Sequence, residues 1–252
     1  MMLTVTNNIQ DIYKGVFGRY FVKTLIIIPA YNEEESIETV VNELIEDYPE
    51  YDYIIVNDGS TDDTIKICRK NNYRVLDLPV NLGLAGAFQT GMIYAYKKGY
   101  DYAVQFDGDG QHKADIISEM LSAASDSEAD IIIGSRFLKG QKKISLRMMG
   151  SMIITAAIKI TTGKTIYDPT SGMRMYDKRV IKEFAFNMNY GPEPDTIAFL
   201  LRKGITLMEI PAQMNERLAG ESYFNIYSSI MYMIKMLCSI LLLQWARKRR
   251  TK

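Results

Sequence analysis

Two aspartates, Asp107 and Asp109, stand one residue apart where an apolar run ends, in the stretch YAVQFDGDGQ from Tyr102 to Gln111. Ala103, Val104 and Phe106 predict a buried strand. Side chains at i and i+2 share one face of an extended chain. Both carboxylates, with the amide oxygen of Gln111 beyond them, therefore converge on one point. Carboxylates this close repel each other unless a cation lies between them. Mg²⁺ and Mn²⁺ fit that need, because they take oxygen ligands and are commonly completed by substrate phosphates. The same Asp and Gly residues also suit a tight turn with no ion. His112, the only histidine, adjoins this stretch as a further ligand, a base or simple polar filling.

Other polar groups follow apolar runs in the same way. Tyr31, Asn32 and Glu33 come after Leu25–Ile28 and Pro29. Asn57 and Asp58 come after Tyr53–Val56, and Arg136 comes after Asp130–Ile133. Between these runs lie helical periods: Ile37, Val40, Val41, Leu44 and Ile45 in one, with others from about 61 to 71, 83 to 98 and 113 to 125. Ser60 or Thr61 is the expected cap of the second helix. A third strand is expected over Arg74–Leu78. Strands alternating with helices predict an α/β fold with a mostly parallel sheet flanked by helices. Such sheets bind ligands at the carboxyl ends of their strands, where all of these polar groups fall.

Bulk properties narrow the class. Lys+Arg 30 against Asp+Glu 30 leaves no net charge, which argues against a nucleic-acid binder. Cys68 and Cys238 are far apart and suggest no disulfide framework. Met1–Val22 has no apolar core of a signal peptide. The segment from Ile226 to Ala246 is strongly apolar but carries Lys235, and RKRRTK follows it. A spanning helix needs about 20 apolar residues and tolerates a central charge poorly. The expectation is one or two amphipathic helices against a membrane surface, with Trp245 at the interface and the basic end on anionic headgroups. A helix closing the core or an oligomer interface is the alternative.

The segments PAYNEEESI, VNDGSTDDT, NLGLAGAFQTG, QFDGDGQH, GSR and DPTSGMRMY, in this order, resemble the family 2 glycosyltransferases of GT-A (Rossmann-like) fold. Within them the chain is most similar to the dolichyl-phosphate and polyprenyl-phosphate mannosyl- and glucosyltransferases. The resemblance covers about residues 24–223. It implies an inverting, metal-dependent transfer of a sugar from a UDP- or GDP-sugar to a polyprenyl phosphate. Pro29, Tyr31, Asn32, Glu33, Asp58 and Gly83 would line the nucleotide pocket. Asn57 stands where the family often has Asp, which leaves the base preference open. Asp107, Asp109 and Gln111 would hold Mg²⁺ or Mn²⁺ and, through it, the diphosphate. Arg136, Arg147 and Ser151 match the residues that contact an acceptor phosphate. The DPTSG loop, Asp168 to Gly172, would shape the acceptor floor. Arg217 and Ser222 match a lid segment whose lysine is replaced here by Tyr223.

The chain is thus expected to comprise an N-terminal extension (1–23), a catalytic domain (24–223) and an apolar and basic helical tail (224–252). It would be cytoplasmic and peripheral to the cell membrane, held there by the tail with a small membrane partner or a second copy. Two other readings accompany this one. A family 2 enzyme extending a surface polysaccharide would need a base for a sugar hydroxyl, Asp168 or Asp195. A non-catalytic nucleotide-sugar-binding subunit would have no use for an intact aspartate pair.

Overall fold

Thr24–Ala30 (β1) is an unbroken apolar run, and it lies inside a seven-stranded sheet with both faces covered. That burial is why its side chains do not alternate with polar ones. The structure, a computed structural model, describes residues 22–108, 113–138, 146–187, 190–213 and 226–243. Beyond β1 the elements are α1 (Ile37–Asp47), β2 (Asp52–Asn57), α2 (Thr64–Lys70), β3 (Val75–Asp77), α3 (Gly83–Lys98) and β4 (Tyr102–Gln105). There follow α4 (Ile116–Ser127), β5 (Ile131–Ser135), α5 (Leu146–Thr162), β6 (Arg174–Asp177) and α6 (Lys178–Phe186). The last are α7 (Pro194–Arg202), β7 (Leu207–Pro211) and α8 (Ile226–Cys238), which continues as a π-helical turn, Ser239–Leu243.

The strand order is β3-β2-β1-β4-β6-β5-β7. All pairings are parallel except those of β6, which runs antiparallel to β4 and β5. β6 escapes the sequence pattern because it is four residues long and begins with a charged residue, Arg174. It nonetheless sets the site, because it wedges between β4 and β5 and separates their two exit loops.

Alternate residues of β1 serve two cores. Ile26 and Ile28 pack with α1, α2 and α4, and Leu25 and Ile27 with α3, α5, α6, α7 and α8. An aromatic triangle of Phe88, Tyr176 and Phe184, with centroids 5.3–5.6 Å apart, joins α3, β6 and α6. Gly91 lets α3 approach β1 closely, since a Cβ there would stand 2.4 Å from Ile27 Cγ2. The C-terminal helix is part of this packing: Met236 and Ile240 are buried in the second core. Burial of each such side chain contributes about 1.5–3 kcal/mol.

The expected cap on α2 is corrected. The helix starts at Thr64, and Ser60 and Thr61 are used elsewhere. Asp62 instead accepts the Thr64 N–H at 3.0 Å and the Thr64 hydroxyl at 2.6 Å.

Candidate active site

The exits of β1 and β2 are laced to each other. Asn32, in the left-handed backbone region with φ 56°, donates its N–H to Ser60 Oγ at 3.0 Å and accepts the Thr61 N–H at 2.8 Å. Glu33 donates its N–H to Thr64 Oγ1 at 2.9 Å, Glu34 donates its N–H to Asp62 Oδ2 at 3.1 Å, and the Glu34 carboxylate accepts the Asp63 N–H at 2.8 Å in the same seam. The Glu33 carboxylate accepts the Ser36 hydroxyl at 2.8 Å. Asn32, Ser60, Thr61 and Thr64 thereby fix one wall of the crevice, and Tyr31 stays 39% exposed on it.

Asp58 is buried, and its Oδ1 accepts the Leu82 N–H at 2.7 Å. This bond draws the Asn81–Gly83 loop onto the end of β2. Gly59, with φ 66°, lies beneath that loop, and a Cβ on it would stand 2.7 Å from Asn81 N and 2.8 Å from Val80 C. Gly83 has φ 73° with open space around it and donates its N–H to Asn81 Oδ1 at 2.9 Å. Asn57 donates its amide to Asp77 Oδ1 at 2.7 Å, and Arg69 Nη2 donates to Asp77 Oδ2 at 2.8 Å. An aspartate at 57 would face the Asp77 carboxylate, so the amide here is matched to its neighbour.

Asp107 follows buried Phe106 at the exit of β4, one strand from the loop of Glu33. Gly108 approaches that loop: a Cβ there would lie 3.6 Å from Glu33 Cγ and from the Pro29 carbonyl oxygen. Asp109, Gln111 and His112 lie outside the described residues, as do Arg217 and Ser222. A divalent cation fits the donor chemistry of this exit, where a carboxylate oxygen of Asp107 is followed two residues on by a second aspartate. Among the described residues no group of three His, Cys, Asp or Glu side chains could hold a metal by itself.

The third cluster is at the exit of β5. Arg136 makes a two-pronged pair with Asp168, through Nε to Oδ2 at 2.7 Å and Nη2 to Oδ1 at 2.7 Å. The Arg136 backbone N–H adds a third bond to Oδ2 at 3.0 Å, and Nη2 also donates to Thr170 Oγ1 at 2.9 Å. The Asp168 side chain is fully enclosed, whereas that of Arg136 is 15% exposed. Glu209 on β7 accepts the N–H groups of Tyr167 and Asp168 at 2.7 and 2.8 Å. Burial pushes the Glu209 carboxyl above its usual range, while those two N–H bonds oppose the rise. Ser151, buried on α5, directs its hydroxyl to the Tyr167 carbonyl at 3.5 Å. Arg147 is one turn earlier, in the first turn of α5.

Beneath the DPTSG loop lies Arg174, 1% exposed. It donates to the carbonyls of Ser171 and Pro169 at 2.8 Å each, and to that of Pro192. Sequence reasoning assigned no role to Arg174 or Glu209, and none to Thr170 beyond its place in the DPTSG loop. The signals were a charge inside a short apolar run (Arg174) and one between Met208 and Ile210 (Glu209). Taken together, Pro29, Tyr31, Asn32, Glu33, Asp58 and Gly83 stand around the exits of β1 and β2. Asp107 stands at β4, and Arg136, Asp168 and Ser151 stand on the far side of β6.

Comparison with known proteins gives the family and the fold. The family model described as glycosyl transferase family 2 matches residues 25–184. An undecaprenyl-phosphate mannosyltransferase of Micrococcus luteus is 31% identical over 212 residues, covering 79% of this chain and 86% of its own. A polyprenol monophosphomannose synthase of Mycolicibacterium smegmatis is 28% identical over 213 residues, 79% of this chain and 80% of its own. Among solved structures, glucosyl-3-phosphoglycerate synthase from Mycobacterium tuberculosis with phosphoglyceric acid superposes with a TM-score of 0.66 at 18% identity, over 96% of this chain and 84% of that one. The same enzyme has been crystallised with Mn²⁺ and UDP-glucose; at such identity the likeness establishes the GT-A-like fold alone. With a family match running from β1 into α6, this chain belongs to glycosyl transferase family 2 and is a glycosyltransferase.

Proposed function

We propose that the chain transfers a sugar, with inversion, from a nucleoside diphosphate sugar to a polyprenyl phosphate at the cytoplasmic face of a membrane. The observation that carries this reading is the state of the two candidate bases. Asp168 is enclosed and bonded to Arg136 through both oxygens. Asp195 is 7% exposed and accepts the Ser239 hydroxyl at 2.5 Å. A sugar hydroxyl would need such a base, whereas a phosphate is already an anion and needs none. The relatives, an undecaprenyl-phosphate mannosyltransferase and a polyprenol monophosphomannose synthase, support the same reading.

In this reading Asp168 is the anchor of Arg136 and not a base. The anchored guanidinium keeps Nη1 for the acceptor phosphate, a use that suits the planar arginine fork. Ser151 and Arg147 would complete the acceptor side, with Arg217 and Ser222 on the lid. Pro29, Tyr31, Asn32, Glu33, Asp58 and Gly83 would hold the nucleotide. Asp107 and Asp109, with Gln111, would hold Mg²⁺ or Mn²⁺, which when bound offsets the charge growing on the leaving diphosphate. An acceptor phosphate oxygen forms the bond to the anomeric carbon. The bond from that carbon to the donor phosphate oxygen breaks, and the nucleoside diphosphate leaves with the electron pair. Arg136 aligns the attacking oxygen on the face opposite the leaving group, and that alignment produces inversion.

The outer faces of α5 and α8 support the membrane placement. Met149, Met152, Ile153 and Ile160 on α5 are exposed, as are Ile230, Met231, Ile234, Leu241 and Leu242 on α8 and its π turn. The two helices pack together at Gly150, where a Cβ would lie 3.3 Å from Met233 Sδ. Among the described residues no helix is long and apolar enough to cross a membrane. A lipid surface would cover both faces, bring the acceptor headgroup to Arg136, and meet the basic RKRRTK run by charge complementarity.

The test uses membranes containing undecaprenyl phosphate, Mn²⁺ or Mg²⁺, and labelled UDP- and GDP-sugars. Metal-dependent label in a lipid that mild acid releases is expected. Donor hydrolysis with no lipid product would overturn the acceptor assignment.

A further inference from the structure

Two bonds between side chains tie the C-terminal helix to the start of α7, beside the apolar packing of Met236 and Ile240. Tyr232 donates its hydroxyl to Glu193 Oε2 at 2.5 Å, and Ser239 donates to Asp195 Oδ2 at 2.5 Å. Glu193 is the residue before α7, and Asp195 is in its first turn. Asp195 and Ser239 are 7% and 5% exposed. Helices that need only to pack fill such contacts with apolar groups, because desolvating a carboxylate is costly unless a specific geometry is gained. A fully bonded buried polar network fixes one arrangement of the elements it joins.

This contact continues to the acceptor loop. Pro192, next to Glu193, gives its carbonyl to buried Arg174, and Arg174 also holds the carbonyls of Pro169 and Ser171. The loop so held contains Thr170 and follows Asp168, the partners that orient Arg136. One continuous path of hydrogen bonds and single chain steps thus joins the helix with the apolar outer face to the guanidinium assigned to the acceptor.

We propose that Tyr232 and Ser239 are positioning residues: through Glu193, Asp195 and Arg174 they hold the Asp168–Ser171 loop in the form that presents Arg136. The C-terminal helix is then a working part of the acceptor site as well as a surface anchor. The idea rests on the assignment of Arg136 to the acceptor for its kinetic consequence, but not for the coupling itself. The Tyr232 hydroxyl is suited to this role as a permanent donor, because burial and then the Glu193 carboxylate push it well above the ordinary tyrosine range.

The test compares full-length wild type with Tyr232→Phe and Ser239→Ala. Both substitutions remove only a hydroxyl and introduce no poorer helix former, and each checks the other should one fold poorly. Hydrogen exchange is followed in peptides covering 168–176 and, as a control, 24–30. Roughly tenfold faster exchange is expected in 168–176 alone, the effect of losing one such bond on local opening. Transfer kinetics should show kcat down about 10- to 100-fold, with the KM for the nucleotide sugar unchanged. Exchange in 168–176 at the wild-type rate, or an equal rise in 24–30, would overturn the coupling. Altered exchange with wild-type kcat would overturn the positioning role. Because exchange needs no acceptor, it decides the coupling even for a wild-type protein that moves no sugar to polyprenyl phosphate; in that case the donor hydrolysis rate replaces kcat.

Discussion

Asp168 illustrates how one carboxylate changes meaning once its neighbours are known. Alone it is a candidate base; enclosed against Arg136, with its own N–H bonded to Glu209, it fits the anchor role proposed above. The two roles predict different phenotypes for Asp168→Asn. A base would be lost at little cost to folding. An anchor leaves a desolvated guanidinium without its counter-charge, so about 3 kcal/mol of stability should be lost, read from urea denaturation. Asp168→Asn with wild-type stability would sink the anchor role. Asp107→Asn tests the opposite case, a carboxylate kept for ligand chemistry at a strand exit. We expect a loss of at least about 100-fold in transfer. The stabilisation by nucleotide plus Mn²⁺ in a thermal-shift assay should also vanish.

Elements act here mainly by how closely they approach one another. At Gly59 a Cβ would meet backbone, and at Gly91 the central strand β1, in both cases at less than 3.0 Å. Gly91→Ala would push α3 off Ile27, an overpacking cost of about 1–3 kcal/mol with the crevice untouched. Gly59→Ala adds backbone strain at φ 66° to a clash with Val80 and Asn81. It should therefore cost stability and also loosen the loop that Asp58 holds. Nucleotide titration should show weakened donor affinity for Gly59→Ala and unchanged affinity for Gly91→Ala. Equal effects in the two variants would mean that the 80–83 loop has no part in the nucleotide pocket. The position of β6 is the other decision made at this level. By pairing antiparallel between β4 and β5, it holds the exits that carry Asp107 and Arg136 one strand apart, as the proposed donor and acceptor sites require.

For the whole molecule, the two cysteines offer a direct test of the proposed lipid-facing surface. Cys68 is buried in the core, and burial pushes its thiol up to about 11. At pH 8 only about one molecule in a thousand would carry its thiolate, so it should be inert until the protein unfolds. Cys238 is exposed, on the helix that carries Met231 and Ile234. A thiol reagent should therefore modify one cysteine rapidly in buffer. Vesicles rich in anionic lipid should protect that same cysteine, and added salt should weaken the protection by screening the basic run. Unchanged labelling of Cys238 in the presence of vesicles would separate α8 from the membrane.

Much was legible in the sequence because it depends on short-range rules. Unbroken runs such as Leu25–Ile28 predict strands buried on both faces, helical periods predict the covering layers, and the order of the two forces polar residues onto one rim. The Asp107/Asp109 pair and the family segments could be read for the same reason: their chemistry is contained in local spacing. What only the tertiary structure decided is which partner each polar group meets. Asp58 meets the Leu82 N–H, Asn57 meets Asp77, Asp168 meets Arg136, and Glu193 meets Tyr232, across separations of 20 to 39 residues. No local period encodes such pairings, because they arise where strands and helices from distant segments are brought together by packing. The antiparallel β6 also lay beyond local rules, since a four-residue strand with an arginine in it is stabilised by its neighbours and by the carbonyls Arg174 gathers, and hardly by its own propensity.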